Sequence, residues 1–379
     1  MEKMYFDYAS TAPTDPLVVE AMKPYFYEKF GNASSPHHFG QEALSALEDA
    51  RQVLAGFIGA TPEEIVFNSG GTEANNHAIC GIYYKSRIKD SHMIVSAIEH
   101  HSVLEPVEFL QRQGAQITIL PVDSTGQVNP EDVKKAITNK TILVAVMHAS
   151  NEIGTVQPVK DISAITKAKG VPLLVDAVQT VGHIPVNVKD LGADMLSLSA
   201  HKFYGPKGVG ALYVRKGLAL ERYMMGGDQE RSHRASTQNV AGIVGLGKAI
   251  SLCRDKMPEE IKTQTALRQR LLEEIPKRIS GVKINGHPTN RLPNNAHFSF
   301  EGLHSEALLM SLDMNGFAAS MGSACTAGAM DPSHVLKAIG LDDALAFGSL
   351  RLSLGRWTTA VHVDRLLNYL PEAVKSLRI

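Results

Sequence analysis

The stretch ADMLSLSAHKFYGPKGVGALYV, Ala193 to Val214, decides how the rest of the chain is read. A short apolar strand, Met195 to Leu198, delivers Ser199, His201 and Lys202 to a bend. Gly205, Pro206, Gly208 and Gly210 then turn the chain into a second apolar strand, Ala211 to Val214. A lysine just off a buried strand, among small and polar neighbours, can be desolvated, which lowers its pKa toward the nucleophilic amine. Such an amine captures a carbonyl cofactor. Taken alone, the same lysine would read as a surface side chain snorkelling beside a turn.

Working outward, Ile65 to Phe67, Met93 to Val95, Ile117 to Leu120, Ile142 to Val146 and Leu173 to Val175 also read as short buried strands. Helical stretches such as Asn129 to Ile137 and Ile162 to Lys169 separate most of them. Continuous apolar strands alternating with helices predict a mostly parallel sheet covered on both faces. Toward the N-terminus, helical patterns are expected over Pro16 to Phe30 and Gly40 to Ile58, with the polar loop Gly31 to His37 between them. After about Ala241 the texture changes to a long helix, Gly242 to Ile279. Strand-like Val282 to Asn285 and Asn295 to Phe300, a helix from Ser305 and a strand pair around Ala318 and Leu350 to Leu354 follow, which is the pattern of a smaller α+β domain. The opening segment is expected to join it, since chain ends often meet. The expected division is a large domain over 15–250 and a small domain made of 1–14 and 251–379.

The chemistry-bearing residues cluster where strands end. Asn68-Ser-Gly-Gly-Thr72-Glu-Ala-Asn75 follows a strand and opens a helix, so the amides around Gly71 and the Thr72 hydroxyl form an anion site. A capping box of Thr72 with Asn75 would explain the same residues. Glu99-His100-His101 follows Met93 to Val95; an imidazole there can stack on a flat ring or move a proton. Asp176 ends Leu173 to Val175, with Gln179 one turn on. A carboxylate so placed can keep the pyridine nitrogen of pyridoxal phosphate (PLP) protonated, and it could equally cap a helix. Asn151-Glu152-Ile153-Gly154-Thr155 follows Ile142 to Val146. Ligands of open α/β sheets bind outside the carboxyl ends of the strands, so the recurrence carries weight.

Two residues lie in the smaller part. Cys325, in Gly322-Ser-Ala-Cys325-Thr-Ala-Gly328, has small neighbours that leave a thiol able to reach a substrate. Cys80 and Cys253 read instead as helical packing residues. Arg351, in Leu350-Arg-Leu-Ser-Leu-Gly-Arg356, is an arginine on an apolar strand. It needs a buried anion, either a substrate carboxylate or a structural Asp or Glu.

The full set of motifs resembles the PLP-dependent cysteine desulfurases of the NifS/IscS type, within the class V aminotransferase-like group. The matching stretches are YFDYAST, GNASSPHH, SGGTEANN, EHHSVL, NEIGT, VDAVQT, SAHKFYGPKGVG, GSACT and RLSLGR. That resemblance implies an α/β chain of PLP-dependent transferase fold type I, with the mostly parallel sheet in the large domain. It implies Lys202 as the lysine that captures PLP and Cys325 as the carrier of a persulfide made from L-cysteine, alanine being the other product. It further implies His100 against the ring, Asp176 at the pyridine nitrogen, and Asn151 and Gln179 near the ring oxygen. Gly71, Thr72, Ser199 and His201 would hold the phosphate, Thr237 would reach it from the second subunit of a homodimer, and Asn32 and Arg351 would bind the substrate carboxylate. A proton acceptor for the thiol, His100 or the substrate amine, is required, because a free thiol titrates near pH 8.5. The chain departs from the family pattern at Ser10, Ala12, Asp228 and Ala235-Ser236.

The resemblance also implies a persulfide-accepting protein partner, in iron–sulfur cluster assembly or in tRNA or cofactor thiolation. A PLP-dependent cysteine or selenocysteine lyase, or a non-catalytic scaffold of the same fold, would carry many of the same motifs. A net charge of −1, from 38 basic and 39 acidic residues, gives no electrostatic case for direct binding to nucleic acid or an anionic membrane. No apolar run is long enough to span a bilayer, and Met1 to Ser10 lacks a signal-peptide core, so a cytoplasmic location is expected.

Overall fold

The computed structural model describes residues 3–321 and 332–378. Its centre is a seven-stranded sheet in the order Ile65–Asn68, Gly210–Val214, Met195–Ser199, Leu173–Asp176, Thr141–Met147, His92–Ser96, Gln116–Leu120. Gly210–Val214 runs antiparallel to both its neighbours, and every other pairing is parallel. The carboxyl ends of the six co-directional strands therefore meet along one edge. The inner strands are buried over their whole length, which is why they read as continuous apolar runs rather than alternating ones.

Helices cover both faces. On one, His38–Ile58 and the first half of Val240–Arg278 pack Leu47, Leu54, Ile243 and Leu246 against Val144, Val175 and Leu196. On the other, Gly71–Lys85 and His101–Gln111 bring Ile79, Val103 and Leu110 onto Met93, Leu143 and Leu174. Burial of each such side chain is worth about 1.5–3 kcal/mol, so the sheet is held from above and below.

The long helix Val240–Arg278 leaves the first core and enters a second one. Its Leu267, Leu271 and Ile275 pack with Phe298, Phe300, Leu352, Leu366 and Leu370. There, Asn295–Phe300 forms the middle of a three-stranded antiparallel sheet, between Val282–Asn285 and Ser349–Ser353. Met4–Tyr5 pairs in parallel with Phe317–Ala318, so the opening segment does join this core.

Two local expectations are corrected. Pro16 to Phe30 is not one helix but two, Pro16–Met22 and Pro24–Tyr27, because Pro24 has no N–H to continue the first. The strand Phe317–Ala318 takes Met4–Tyr5 as its ladder partner and meets the Ser349–Ser353 strand only through a bridge between Ser320 and Arg351. Cys80 and Cys253 are buried, as their helical context suggested. Among the described residues, no helix is long and apolar enough to cross a membrane.

Candidate active site

A cavity of about 310 Å³ opens at the carboxyl edge of the central sheet. Gly71, Thr72, His100, Asn151, Asp176, Gln179, Ser199, His201, Lys202 and Arg351 all line it, though they come from six separate stretches of chain. The sheet explains the convergence, since each of the strands Ile65–Asn68, His92–Ser96, Thr141–Met147, Leu173–Asp176 and Met195–Ser199 ends at this rim.

Lys202 closes a single 3-10 turn, Ala200–Lys202, directly after the strand Met195–Ser199. Its Nζ donates to the carbonyls of Ala9 at 2.6 Å and Ser10 at 2.7 Å. His183 Nε2 holds the Lys202 carbonyl at 2.9 Å; a carbonyl only accepts, so Nε2 carries the hydrogen. The turn after the lysine is unusual, with Tyr204 at φ +67° although it is aromatic. Arg356 lies 4.0 Å over the Tyr204 ring and forms ion pairs with Asp15 and Glu260, fastening this turn to both cores.

Asp176 is held at both oxygens. Oδ1 accepts from the amide of Val178 at 3.0 Å, and Oδ2 from Asn75 Nδ2 at 2.8 Å. No helix begins at Asp176, so the carboxylate faces the cavity as a site group and not as a helix cap. His100, by contrast, is a cap: its Nδ1 accepts the amide of Ser102 at 3.0 Å at the start of His101–Gln111. Burial is the main force lowering its proton affinity. Asp176 opposes that effect, while Lys202, His101 and His334 add to it.

At the phosphate end, the helix Gly71–Lys85 begins after Gly70, whose φ of +149° suits glycine. The first backward helix bond is Ala74 N–H to Gly70 O, so the amides of Gly71, Thr72 and Glu73 have no partner within the helix. A Cβ on Gly71 would lie 2.6 Å from Val178 Cγ2, so only glycine fits this cradle. Ser199, His201 and Lys207 line the same end. The capping box expected between Thr72 and Asn75 does not form: Gly70 is the cap residue, and Asn75 reaches across to Asp176. Half-buried beside Lys202 and Lys207, the His201 imidazole is pushed down to about 4, chiefly by partial burial and then by the two lysines. Amides, hydroxyl groups and a basic rim at one end, with a fixed carboxylate and a lysine at the other, fit pyridoxal phosphate.

Arg351 resolves one of the alternatives left open by the sequence. Its Nη2 pairs with Asp7 Oδ1 and with Ser10 Oγ, each at 2.8 Å, and Nη1 donates to the Asn151 carbonyl at 3.0 Å. It therefore has a structural carboxylate partner while also lining the cavity. Gln179 Nε2 donates to the Ala9 carbonyl at 3.0 Å. Asn32 and Thr237 are exposed and do not line the cavity; Asn32 Oδ1 accepts from Ser34 N–H. Cys325 lies outside the described residues.

Several cavity residues were not singled out from sequence. Ala9 and Ser10 arrive from the opening segment, and Glu99, Glu152 and His334 line the wall beyond His100. Ser333 Oγ donates to Glu152 Oε2 at 2.6 Å, and His334 Nε2 donates to the Glu99 carbonyl at 2.9 Å. Burial pushes both carboxyl groups upward, that of Glu99 to about 8. Only the position of Glu99 and Glu152 beside His100 and Asn151 in the motifs could have flagged them.

Comparison with known proteins agrees with this geometry. The family described as Aminotransferase class-V matches residues 4–366. A cysteine desulfurase IscS from Dictyoglomus turgidum is 52% identical over 376 residues, covering 99% of this chain and 95% of that protein. Among solved structures, a NifS-like protein superposes with a TM-score of 0.93 at 37% identity, covering 99% of this chain and 100% of that one. A structure titled SspA in complex with cysteine gives a TM-score of 0.83 at 37% identity, covering 94% and 99%. The chain belongs to the class-V aminotransferase family, as a PLP-dependent enzyme of the cysteine desulfurase group.

Proposed function

We propose that Lys202 and Cys325 divide the reaction between them, and that the product is a persulfide on Cys325 destined for a sulfur-accepting protein. The observation that carries this reading is the meeting of Lys202, Asp176 and His100 in one cavity, with a glycine cradle at its far end. Bound pyridoxal phosphate supplies an aldehyde for an amine and an electron sink for bonds at the substrate α-carbon. Asp176 would hold a proton on the ring nitrogen, its carboxylate already oriented by Val178 and Asn75. The amides of Gly71 and Thr72, with Ser199 and His201, would hold the phosphate, and Asn151 and Gln179 would lie near the ring oxygen.

Arg351 would hold the carboxylate of L-cysteine, oriented by Asp7 and Ser10, with Asn32 assisting. The Lys202 amine would act as the base for the substrate Cα proton. The structure titled SspA in complex with cysteine, 37% identical to this chain, supports cysteine as the substrate. Cys325 lies outside the described residues; its part rests on its small-residue loop and the family motif. Its thiolate attacks the substrate sulfur, an S–S bond forms as the C–S bond breaks, and the electron pair stays with carbon. Protonation of that carbon, and return of a proton to Cα, gives L-alanine.

Thr237, exposed here, would serve the phosphate of a second subunit in a homodimer. The reading includes a cytoplasmic enzyme serving iron–sulfur cluster assembly or tRNA or cofactor thiolation, and a division into 15–250 against 1–14 with 251–379. The two hydrophobic cores support that division, although Val240–Arg278 belongs to both.

Cys325→Ser tests the division of labour. The variant should keep the cofactor's visible absorption and its response to cysteine while forming no protein persulfide. Sulfide release continuing at the wild-type rate would instead mean elimination by the cofactor alone. Lys202→Ala should lose both the absorption and alanine formation, and retained turnover would refute its role.

A further inference from the structure

The hydrogen-bond chain running from Asp176 to His100 has only one possible polarity. Asp176 Oδ2 accepts from Asn75 at 2.8 Å, so the amide nitrogen of Asn75 must face it. The same Nδ2 donates its second hydrogen to Ser102 Oγ at 2.9 Å. Ser102 Oγ lies 2.8 Å from His100 Nδ1 and, with a second lone pair, could donate or accept there; the backbone decides which. The backbone N–H of Ser102 donates to the same Nδ1 at 3.0 Å. Two donors converging on Nδ1 require a bare nitrogen there, and the hydrogen of the neutral ring therefore sits on Nε2. A hydrogen on Nδ1 would set donor against donor and remove the side-chain cap of His101–Gln111.

We propose that Asn75 and Ser102 are positioning residues that lock His100 as an Nε2–H donor toward bound substrate and cofactor, and bar it from accepting a proton at that atom. This rests on the reading of His100 as a residue facing the cofactor. Of the two proton acceptors the sequence suggested for the thiol, the substrate amine remains. The charged groups described around the ring point the same way: Lys202, His101 and His334 oppose a charged imidazole, and Asp176 favours one. Asn75 is fully buried in the helix Gly71–Lys85, and Ser102 is the second residue of the helix His101–Gln111, so both are held by packed backbone.

The test is a two-bond ¹H–¹⁵N correlation spectrum of holoenzyme labelled with ¹⁵N-histidine, with His100 assigned by the peaks that vanish in His100→Gln. His100 should show a bare, pyridine-like Nδ1 and a protonated Nε2 from pH 6 to pH 9. A protonated Nδ1 at neutral pH would overturn the proposal, and the tautomer is read in the wild-type protein. Asn75→Asp supplies the second arm. Its new carboxyl group shares a proton with Asp176 and draws the Ser102 hydroxyl hydrogen to itself, leaving the Ser102 oxygen as an acceptor facing Nδ1. Nδ1 then keeps only the Ser102 backbone N–H as donor, so its signal should move toward that of a pyridine-like nitrogen with one hydrogen bond fewer, and the acid limb of kcat/KM should move to higher pH. An unmoved Nδ1 signal in a folded Asn75→Asp protein would remove Asn75 from the proposal. The spectrum reports on the tautomer without turnover, whereas Cys325→Ser and Lys202→Ala report on products, so either result can fail alone.

Discussion

Replacing Glu99 with glutamine should make the enzyme more resistant to alkaline pH. Glu99 is fully buried at the rim of the sheet, where its Oε1 accepts from Ser96 Oγ at 2.5 Å and from the Met147 amide at 2.8 Å. Burial, with a smaller contribution from the charge of Asp176, pushes its carboxyl up to about 8. A group raised in the folded state gives stability that is complete below its unfolded pKa, near 4.5, and is lost as pH rises through the folded value. Over that window the unfolded chain has released the proton and the folded chain has not, at about 1.4 kcal/mol per pH unit. Between pH 6 and pH 8 wild type should therefore lose about 2 kcal/mol that the glutamine variant keeps. With an unfolding entropy of about 0.8 kcal/mol/K for a chain of 379 residues, that is about 3 °C in melting midpoint. Glutamine preserves the accepting Oε1, so at pH 6 the two proteins should melt together. The assay is differential scanning calorimetry of both holoenzymes at one scan rate across pH 6 to 8. Infrared spectroscopy at pH 7 should also show a protonated carboxyl band in wild type only. Melting curves that stay parallel with pH, and no such band, would refute the neutral acid.

Acidification should act in the opposite sense through His148 and His183, both buried and pushed down to about 4. Stability is full above pH 6.5 and falls toward pH 4 as the unfolded chain takes up protons, and His148→Gln should reduce that slope by about 1.4 kcal/mol per pH unit. Glu230→Ala should cost about 3–5 kcal/mol in unfolding experiments, because it removes the buried bidentate partner of Arg51 and leaves only the more exposed Glu48 as its counter-charge. Glu230 and Arg51 are joined at 2.7 and 3.0 Å, each with a side chain only 2% exposed. Ser10→Ala removes a hydroxyl that accepts from Arg351 and donates to Asp7 Oδ1 at 2.9 Å. Steady-state kinetics should show KM for cysteine rising about fivefold, from roughly 1 kcal/mol of lost orientation, with kcat little changed. An unchanged KM would mean that Asp7 alone aligns the guanidinium.

Much of the molecule is written locally. Each central strand is a continuous apolar run ended by a turn, so its existence, its burial and the rim position of Lys202, Asp176, His100 and Thr72 follow from neighbouring residues. Strand ends in a parallel sheet share one edge, and that rule alone brings those side chains to one cavity. The long helix and the second core were legible for the same reason, since 3.6-residue periodicity persists over many turns. Where Pro24 interrupts the first helix, the signal was present and overrode the periodicity around it.

Tertiary structure decided the pairings between distant segments and the charge states that depend on them. Ser10 meets Arg351 across 341 positions, and Asn75 meets Asp176 across 101, distances at which no spacing rule operates. The capping box suggested by Thr72 and Asn75 does not form because Gly70, which has no side chain, is the cap residue, and Asn75 turns its amide nitrogen to the buried carboxylate of Asp176. That Glu99 is a neutral acid, and that His100 carries its hydrogen on Nε2, are properties of the surrounding dielectric and of converging donors. The sequence by itself determined which residues could do the chemistry, because backbone preference and side-chain type are local. Only the packed structure determined how their protons are arranged, because solvent exclusion and long-range hydrogen bonds exist only once the chain has closed on itself.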